Sequence, residues 1–592
     1  MQFTNQTGWF LYEPHLDIET IRSSEHNMAH GKPSKVEEIK LASDKLRGTI
    51  AAELRSDVAA FEEADHQLLK MHGIYQGYDR DSATELKQRG EDKRTEFMAR
   101  VRAPGGLMTA TQYLAVDALA QHYAGSKLRI TTRQGLQFHG IAKGNLWATI
   151  HGVNEALLTT FAACGDVVRN VTATAVPIED SVHRRLREDA QLLSTALLPQ
   201  TRAYHEIWIG DTNVATASEP AVDPLYGPSY LPRKFKIGIA TPQDNDIDVL
   251  TNDLAIIALF DGQRLEGYNL AVGGGLGMTH NKAQTYPRLA SPVVFIGPDE
   301  LLESVKAVIA LQRDNGDRSD RKHARLKYVV DAMGLDWVKA ELERRLGRPL
   351  EPARPMPGFQ VQDHQGWHAQ GDGRWYFGLP IMSGRIEDRI GHRLATALRR
   401  LMQEIAMRPV FAPSQDVFLA DIAADDRERV EAILTEEGVE LPGQQTPVRR
   451  WAMACPALPS CGLALTEAER VLDDIVSDIE AALARQGVGQ ERLALRVTGC
   501  PNGCARPYVG DIGLVGRVPG SYAIFLGGDF EGTRLNERVF ERVPIAEIGR
   551  TLEPVFALWA RHREGHESFG NFCQRWGTQR LADLVVASQA AE

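Results

Sequence analysis

The chain of 592 residues has a formal net charge of −11 and six cysteines, with 43% hydrophobic and 24% charged residues. The length predicts several packed domains, while the few cysteines and the lack of a basic-then-apolar leader favour a reducing, cytoplasmic setting over a disulfide scaffold. The acidic balance disfavours nucleic acid as a general partner, and apolar runs such as LAIIALF are far shorter than the roughly 20 residues of a membrane span, so no membrane partner is expected.

The first patterned segment in chain order is LRITTRQGLQFHG. It places Arg129, Thr131 and Arg133 at alternating positions, which predicts that they project from one face of a strand, with Gln137 and His139 following. This pattern is typical of an anion-binding edge and equally of a solvated sheet face. An isolated histidine is usually a structural hydrogen-bonding group, so His139 alone is a weak metal candidate.

The segment LPRKFKIGIA repeats the alternation. Lys234 and Lys236 share one face of a predicted strand, and Phe235 and Ile237 occupy the other. Two neighbouring lysines more often solubilise a sheet face than bind a ligand. The glycine-rich stretches AVGGGLG and FLGGDF lack the lysine of a phosphate loop and the spacing of a dinucleotide fingerprint. No nucleotide site is therefore predicted.

Two distant segments, LRITTRQGLQFHGI and RPVFAPSQDVFLADI, are similar to each other. Each follows a helix-like segment and a strand with small residues. Their separation is too long for a solenoid repeat. The similarity predicts a duplicated pair of domains.

Four of the six cysteines lie close together in the sequence. Cys455 and Cys461 have the spacing C-x5-C, and Cys500 and Cys504 have the spacing C-x3-C. Structural zinc sites usually use tighter C-x2-C to C-x4-C pairs, whereas the spacings of iron-sulfur ligands vary more widely. An iron-sulfur cluster is favoured, and zinc or buried unligated thiols are the alternatives.

The sequence around each cysteine pair predicts where the thiols lie. LALRVTG alternates as a strand does, which places Cys500 and Cys504 on a loop at its end. Thr466 and Glu469 have the spacing of a capping box, followed by an apolar helical pattern up to Gly487. Cys461 would then lie just before a helix N-terminus, where unpaired N–H groups favour an anionic cluster.

These motifs together resemble the siroheme-dependent sulfite and nitrite reductases. The similarity includes CPNGC in the cysteine motif and the blocks HGIYQGYDRD, LRITTRQGLQFHG, LLPQTRAYHEIW, YLPRKFKIGIA and NLAVGGGLG. The resemblance implies an α+β fold in which ferredoxin-like halves and siroheme-binding halves are duplicated about a pseudo-twofold axis. The expected domains are a polar N-terminal extension over the surface (1–45), a first ferredoxin-like half (46–160), a first siroheme-binding domain (161–345), a second ferredoxin-like half (346–440) and a 4Fe-4S and siroheme domain (441–592).

The resemblance also implies the cofactors and their ligands. Cys455, Cys461, Cys500 and Cys504 would hold a 4Fe-4S cluster, and the Cys504 thiolate would also ligate the siroheme iron. Siroheme carries eight carboxylates, which need fixed cations and hydrogen-bond donors. The residues expected to bind siroheme are Arg129, Thr131, Arg133, Gln137, His139, Arg233, Gln415, Thr498 and Asn502. The residues expected around the bound oxyanion are Arg100, Arg169, Lys234 and Lys236.

The activity implied by the resemblance is assimilatory six-electron reduction of sulfite to sulfide. Nitrite reduction is the alternative, but nitrite reductases of this family usually have asparagine where Lys236 stands. A non-catalytic binding protein on the same fold is a remote third possibility. Electrons would come from ferredoxin or a separate flavoprotein. Some relatives carry a tyrosine-cysteine link beside the siroheme; Tyr75 and Cys164 are the matching pair, and a simply buried Cys164 is favoured.

Overall fold

The computed structural model describes residues 31–200, 208–209, 212–213 and 222–591, with side chains for 31–200 and 222–587. Of the predicted N-terminal extension, residues 1–30 lie outside the described residues. Residues Lys35–Leu41 form a helix whose Glu37 and Lys40 are buried, so this part of the segment is built into the protein rather than lying over its surface. Within the described ranges no helix has the length and apolar character needed to cross a bilayer.

The helices follow one another along the chain. They are α1 (Lys35–Leu41), α2 (Ile50–Leu54), α3 (Glu63–Leu69), α4 (Ala83–Gln88), α5 (Ala110–Tyr123), α6 (Leu146–Glu155), α7 (Ser181–Ala196), α8 (Leu301–Asn315), α9 (Leu326–Met333), α10 (Leu335–Leu346), α11 (Leu394–Glu404), α12 (Arg427–Glu436), α13 (Pro447–Arg450), α14 (Leu472–Arg485), α15 (Ile548–His562), α16 (Phe569–Trp576) and α17 (Thr578–Ala591).

The strands alternate with these helices. They are β1 (Ile74–Tyr78), β2 (Thr95–Val101), β3 (Leu128–Ile130), β4 (Leu136–Ile141), β5 (Thr172–Ala173), β6 (Trp208–Ile209), β7 (Thr212–Asn213), β8 (Ile237–Ala240), β9 (Leu254–Asp261), β10 (Arg264–Val272), β11 (Ser291–Ile296), β12 (Glu351–Pro352), β13 (Gly366–Ala369), β14 (Trp375–Leu379), β15 (Arg385–Ile386), β16 (Asp388–Arg389), β17 (His392–Arg393), β18 (Arg408–Phe411), β19 (Val417–Ile422), β20 (Met453–Ala454), β21 (Leu495–Thr498), β22 (Ile512–Val518), β23 (Ser521–Leu526) and β24 (Glu537–Pro544).

Four larger sheets organise the molecule. Sheet A has the order β1-β2-β4-β3-β15 and sheet B the order β13-β14-β19-β18. Sheet C has the order β12-β11-β10-β9-β8-β5 and sheet D the order β20-β21-β22-β23-β24. Helices and mixed sheets are thus interspersed along the chain, and the predicted α+β class is confirmed.

Sheets A and B each contain a hairpin built on the same turn. The β3–β4 turn and the β18–β19 turn both contain a glutamine with positive φ, Gln134 at 61° and Gln415 at 78°. Each of these glutamines donates its backbone N–H to the carbonyl three residues earlier, over 2.9 Å to Thr131 and 3.0 Å to Ala412. The predicted duplication of the two segments is therefore confirmed.

Sheets C and D repeat a second pattern. In both, two parallel strand pairs are followed by two antiparallel pairs, from β5 through β11 and from β20 through β24. The loops after β8 and β21 have equal length, and Asp248 and Arg506 occupy the same place along them with φ of 50° and 56°. The pseudo-twofold duplication therefore extends to these sheets.

The two halves exchange segments where sheets A and B meet. Strand β15 pairs with β3 of the first half, and Leu107 of the first half forms a bridge with Val410 of β18. A glycine precedes each exchanged segment and lies against the partner strand. A Cβ on Gly106 would lie 2.0 Å from the Phe411 carbonyl oxygen, and one on Gly384 would lie 2.4 Å from that of Ile130.

The apolar core also joins the two halves. One cluster of buried side chains contains residues of both sheet A and sheet B, such as Phe97, Phe138, Phe377 and Leu419. Sheet C and sheet D each cover a separate cluster. Sheets A and B therefore share one core, and the loops of sheets C and D meet beside this core.

We expect Gly106→Ala to lower thermal stability strongly. Its φ of 79° is unfavourable for a side chain, and the added Cβ would overlap the Phe411 carbonyl at 2.0 Å. Gly391→Ala is the matched control, because Gly391 has a φ of 76° with nothing within 4 Å. The control should lose about 1–2 kcal/mol and Gly106→Ala more than about 3 kcal/mol. Equal unfolding midpoints for the two variants would contradict the proposed close approach of the halves.

Candidate active site

The four cysteines gather at the carboxyl ends of two adjacent parallel strands. Cys455 directly follows β20, and Cys500 and Cys504 lie in the loop after β21, as predicted for the second pair. The Gly499 N–H donates to the Cys455 Sγ at 3.3 Å, and Asn502 Nδ2 donates to the Cys500 Sγ at 3.4 Å. Such donors stabilise thiolates, the form that binds metal.

The thiols are close enough to influence one another. Burial, followed by the negative charge of Cys504, raises the pKa of Cys500 to about 12. Burial and then Cys504 also raise the pKa values of Cys455 and Cys461. Among the described residues, no three His, Cys, Asp or Glu side chains are arranged to hold a single metal ion. Four thiols that influence one another fit a cluster, which distributes its thiolates over several irons.

The predicted capping box after Cys461 is wrong. Helix α14 begins only at Leu472, and its N-terminus has no side-chain cap. The Thr466 Oγ1 instead accepts from the Gly520 N–H at 2.9 Å, and Glu469 forms an ion pair with Arg385. Cys461 therefore lies in a turn well before the helix, and helix N–H groups do not explain its environment.

The prediction that Arg129, Thr131 and Arg133 share a strand face is also wrong in part. Strand β3 ends at residue 130, so Thr131 and Arg133 lie in the hairpin turn. Arg129 is buried, and its Nη2 donates to the Ala454 carbonyl at 2.6 Å, one residue before Cys455. Its Nη1 lies 3.4 Å from Glu469. The turn brings Arg133 toward sheet C while Arg129 remains beside the cysteines.

Backbone oxygens hold Arg133 in place. Its Nη2 donates to the carbonyls of Asn170 at 2.5 Å and Ile237 at 3.0 Å, and its Nη1 donates to Asn252 Oδ1 at 2.8 Å. Burial, followed by the charge of Arg169, lowers the pKa of Arg133 to about 9. None of these three contacts is an ion pair, so neutral oxygens orient this guanidinium.

Three predicted residues lie side by side on neighbouring strands. Arg100 pairs with Gln137 across β2 and β4, and its Nη2 lies 3.4 Å from Gln137 Oε1. Burial lowers the pKa of His139 well below its usual value, as do the nearby charges of Arg385 and Arg129. The Arg100 Nε and the His139 Nε2 are buried without a hydrogen-bond partner.

Arg169 lies beside the tyrosine-cysteine pair. Its Nη2 is 3.4 Å from the Tyr75 hydroxyl oxygen. Burial raises the pKa of Tyr75, and so does Cys164, with which the phenol shares a hydrogen bond. Cys164 is fully buried. The two side chains are therefore in contact, and an unlinked, buried Cys164 stays a prediction.

Lys234 and Lys236 precede strand β8 rather than lying within it, which corrects their predicted place on the strand. Burial lowers the pKa of both lysines well below the usual value. The charges of Arg233 and Arg169 lower the pKa of Lys234 as well. The charge of Lys234 has the same effect on Lys236. The Cys504 thiolate acts in the opposite direction on Lys234. The two lysines therefore lie among other cations, and Lys234 lies within electrostatic range of Cys504.

The remaining predicted residues occupy different surroundings. The Arg233 Nη1 lies 3.8 Å from Asp166. Gln415 Nε2 donates to the Ser383 carbonyl at 3.0 Å, and its Oε1 is buried without a partner. The Thr498 hydroxyl lies 3.4 Å from the Leu514 carbonyl, inside sheet D. Gln415 therefore has a free buried acceptor, whereas Thr498 is within reach of a backbone partner.

A buried ion pair beside the cysteine loop was missed by the sequence analysis. Asp248 pairs with both Arg496 and Arg506, and the Arg506 Nε lies 2.5 Å from Asp248 Oδ2. Arg506 also donates to the Thr132 carbonyl at 3.3 Å, and the Thr132 hydroxyl donates to the Cys504 carbonyl at 3.0 Å. No sequence signal connects positions so distant in the chain.

Sequence reasoning also missed two groups near the lysines. Asp253 accepts the Lys236 backbone N–H at 2.9 Å and pairs with Arg325 at 2.7 Å. Lys327 donates to the carbonyls of Gly275 at 3.0 Å and Gly277 at 3.2 Å. Burial, followed by the charge of Arg325, lowers the pKa of Lys327 to about 7. A single lysine in a helical segment carries no sequence pattern that marks it.

The residues present fit an anionic group beside the cysteines. Several buried cations are held largely by neutral oxygens, and the Nε atoms of Arg100 and Arg133 have no partner. Burying so much positive charge is unfavourable unless negative charge joins it. The four thiols supply soft ligands for iron-sulfur iron. The arrangement can therefore hold a cluster next to a polycarboxylate and a small oxyanion.

Comparison with known proteins identifies the class. Residues 188–350 and 447–591 match the model of the nitrite and sulphite reductase 4Fe-4S domain, and residues 89–156 match that of the nitrite/sulfite reductase ferredoxin-like half domain. The chain belongs to the nitrite and sulfite reductase family. The cofactors of this family are siroheme and a 4Fe-4S cluster, as the resemblance implies.

Individual proteins show how similar the chain is to known sequences and structures. The chain is 45% identical to the sulfite reductase [NADPH] hemoprotein beta-component of Myxococcus xanthus, over 92% of this chain and 96% of that protein. It is 42% identical to the protein of the same name from Bacillus subtilis, with the same coverage. The structure of the Mycobacterium tuberculosis NirA protein matches with a TM-score of 0.74 at 23% identity, covering 93% and 98% of the two chains. This last match supports the fold.

We expect Asp248→Asn to destabilise the protein by about 3–5 kcal/mol, because it leaves two buried arginines without their shared counter-charge. Asp261→Asn is the matched control, since Asp261 is 72% exposed and its pair with Arg264 is on the surface. Unfolding midpoints in denaturant measure both. A loss no larger than that of the control would show that the buried ion pair contributes little.

Proposed function

We propose that this chain is the hemoprotein component of an assimilatory sulfite reductase, reducing sulfite to sulfide. The observation that carries the proposal is the group of neighbouring cations Lys234, Lys236 and Arg169, of which Lys234 lies within electrostatic range of Cys504. When bound, siroheme coupled to the 4Fe-4S cluster would pass on the six electrons that the electron donor supplies. The relatives named as sulfite reductase components support the choice of substrate.

The chain's own residues bind and neutralise the anion. Arg100, Arg169, Lys234 and Lys236 are proposed to hold the oxyanion, because fixed cations in a desolvated site stabilise developing negative charge strongly. Burial makes both ammonium groups better acids than exposed lysines. They are therefore suited to donate protons to the departing oxygens.

The cofactor ligands are proposed on the same basis. Cys455, Cys461, Cys500 and Cys504 would hold the cluster. Siroheme carboxylates would be met by the donors predicted from the sequence, of which Arg133 has an unpaired Nε atom. Lys327, held by backbone carbonyls, joins this set as a cation that sequence reasoning missed.

The electron donor is proposed to be a separate NADPH-dependent flavoprotein. The named relatives are NADPH-type hemoprotein components, which favours this donor over ferredoxin. We place the protein in the cytoplasm, where six cysteines in a long chain remain reduced.

Cys504→Ser tests the cofactor assignment. Because hydroxyl is a poor ligand to soft iron, we expect loss of cluster and siroheme absorption and of sulfite turnover. Cys573→Ala is the control, since Cys573 is buried in the apolar core of sheet D and should leave both cofactors bound. Normal absorption and turnover in Cys504→Ser would refute the assignment, and so would wild-type protein without siroheme absorption, which would favour a non-catalytic binding role.

Lys236→Asn tests the substrate. Removing one cation should weaken stabilisation of doubly negative sulfite more than of singly negative nitrite. We expect sulfite turnover to fall roughly 5- to 150-fold, equivalent to about 1–3 kcal/mol, while nitrite turnover falls less or rises. Both rates are measured with reduced viologen, which separates chemistry from donor docking.

The matched control for this substitution is Lys306→Asn. Lys306 is exposed on α8, and its loss should leave both rates unchanged. Equal sulfite rates for Lys236→Asn and wild type would remove Lys236 from the site and favour nitrite reduction instead.

A further inference from the structure

Four consecutive backbone carbonyls precede the two site lysines, and each accepts a hydrogen bond from a distant side chain. The carbonyl clamp, as we call residues 230–233 with their donors, ends directly before Lys234. Its four contacts are Arg318 Nη2 to Tyr230 O at 2.8 Å, Lys40 Nζ to Leu231 O at 2.7 Å, Arg321 Nη1 to Pro232 O at 3.4 Å and Gln312 Nε2 to Arg233 O at 3.2 Å.

Two buried carboxylates hold the cationic donors of the clamp. Lys40 Nζ lies 2.6 Å from Glu37 Oε1 and 3.5 Å from Asp166 Oδ2. Arg321 forms a two-pronged pair with Asp166, at 2.7 and 3.1 Å, and Arg318 pairs with Glu37. Lys40 and Glu37 are each 1% exposed, so water does not compete for these contacts.

The clamp is joined to both anion-binding segments. The Asp166 carbonyl accepts the Leu231 N–H at 3.1 Å, and the Arg169 N–H donates to the Phe235 carbonyl at 2.9 Å. The segment that carries Arg169 and the segment that carries the two lysines are therefore tied together between the clamp and strand β8. Helix α1 reaches this junction through Lys40.

The site needs such an anchor because its cations repel one another. The charge of Lys234 lowers the pKa of Lys236, and the charges of Arg233 and Arg169 lower that of Lys234. A segment free to relax would separate these charges when no anion is bound. Donors that are fixed beforehand need no reorganisation when the anion arrives, which preserves binding energy.

We propose that Lys40, with Glu37 and Asp166, is a positioning residue that holds backbone 230–233 and thereby preorganises Lys234 and Lys236 for the oxyanion. This inference rests on the proposed function, because it names the device that sets anion affinity at that site. It assigns helix α1 a role in substrate binding although none of its residues is placed at the anion.

The test compares Lys40→Met with Lys35→Met in the holoenzyme. Methionine keeps the length of the buried side chain and removes its charge and its donor. Lys35 lies on the same helix but is exposed, with only a surface pair to Glu63. For Lys40→Met we expect KM for sulfite to rise about 10-fold with kcat within about twofold and siroheme content unchanged, whereas Lys35→Met matches wild type.

A second readout does not depend on activity. Amide hydrogen exchange in the peptide covering 230–237, measured without substrate, should be at least about 10-fold faster in Lys40→Met, while the β3–β4 hairpin peptide stays unchanged. Wild-type exchange and wild-type KM would overturn the proposal. Faster exchange with unchanged KM would overturn it too, because the clamp would then be structural only.

Arg318→Gln is a second test of the clamp, in case Lys40→Met does not fold. Arg318 is partly exposed, and its loss removes the Tyr230 contact while leaving Lys40 in place. It should raise KM in the same direction by about 3-fold, and an unchanged KM together with unchanged exchange would contradict the clamp. If wild type does not reduce sulfite, the proposed function fails, and hydrogen exchange still decides whether Lys40 orders residues 230–237.

Discussion

The buried pair of Asp248 and Arg506 is the contact on which the geometry of the site depends. The two residues occupy equivalent places in loops of equal length, so their pairing puts the pseudo-twofold axis between them. Arg506 also donates to the carbonyls of Thr132 and Pro413, which are equivalent positions of the two hairpin turns. One guanidinium thus fixes both turns relative to both loops, and Cys504 lies two residues away.

This symmetry creates two equivalent places, and two cations of the first have uncharged counterparts in the second. Ala494 stands where the first half has Lys236, and Ser414 stands where it has an arginine in the hairpin turn. Trp451 and Phe530 pack edge to face across the second place, with ring centroids 4.9 Å apart. The cavity left there is about 20 Å³, enough for about one water. Aromatic rings thus fill part of the second place, and Asp248 in its lining pairs with Arg496 and Arg506.

The sequence predicted local features of this architecture but few of its long-range contacts. Spacing predicted the loop of Cys500 and Cys504, because a strand and its end are set by neighbouring residues. The alternating pattern misled at Thr131, since the turn begins where the alternation continues. Glu469 has the spacing of a cap yet pairs with Arg385, because a buried ion pair outweighs a local hydrogen bond. The family resemblance supplied the ligand roles.

The site keeps its positive charge because of the groups that its cations contact. A carboxylate next to each cation would orient it but would also cancel the charge that the anion must meet. Carbonyl dipoles orient a cation and leave its charge in place, as they do for Arg133 and Lys327. Carboxylates such as Asp166 and Glu37 instead lie behind the lysine segment, where they hold the backbone. Rigidity and positive charge are thus supplied by different groups, so the site can be firm without being neutral.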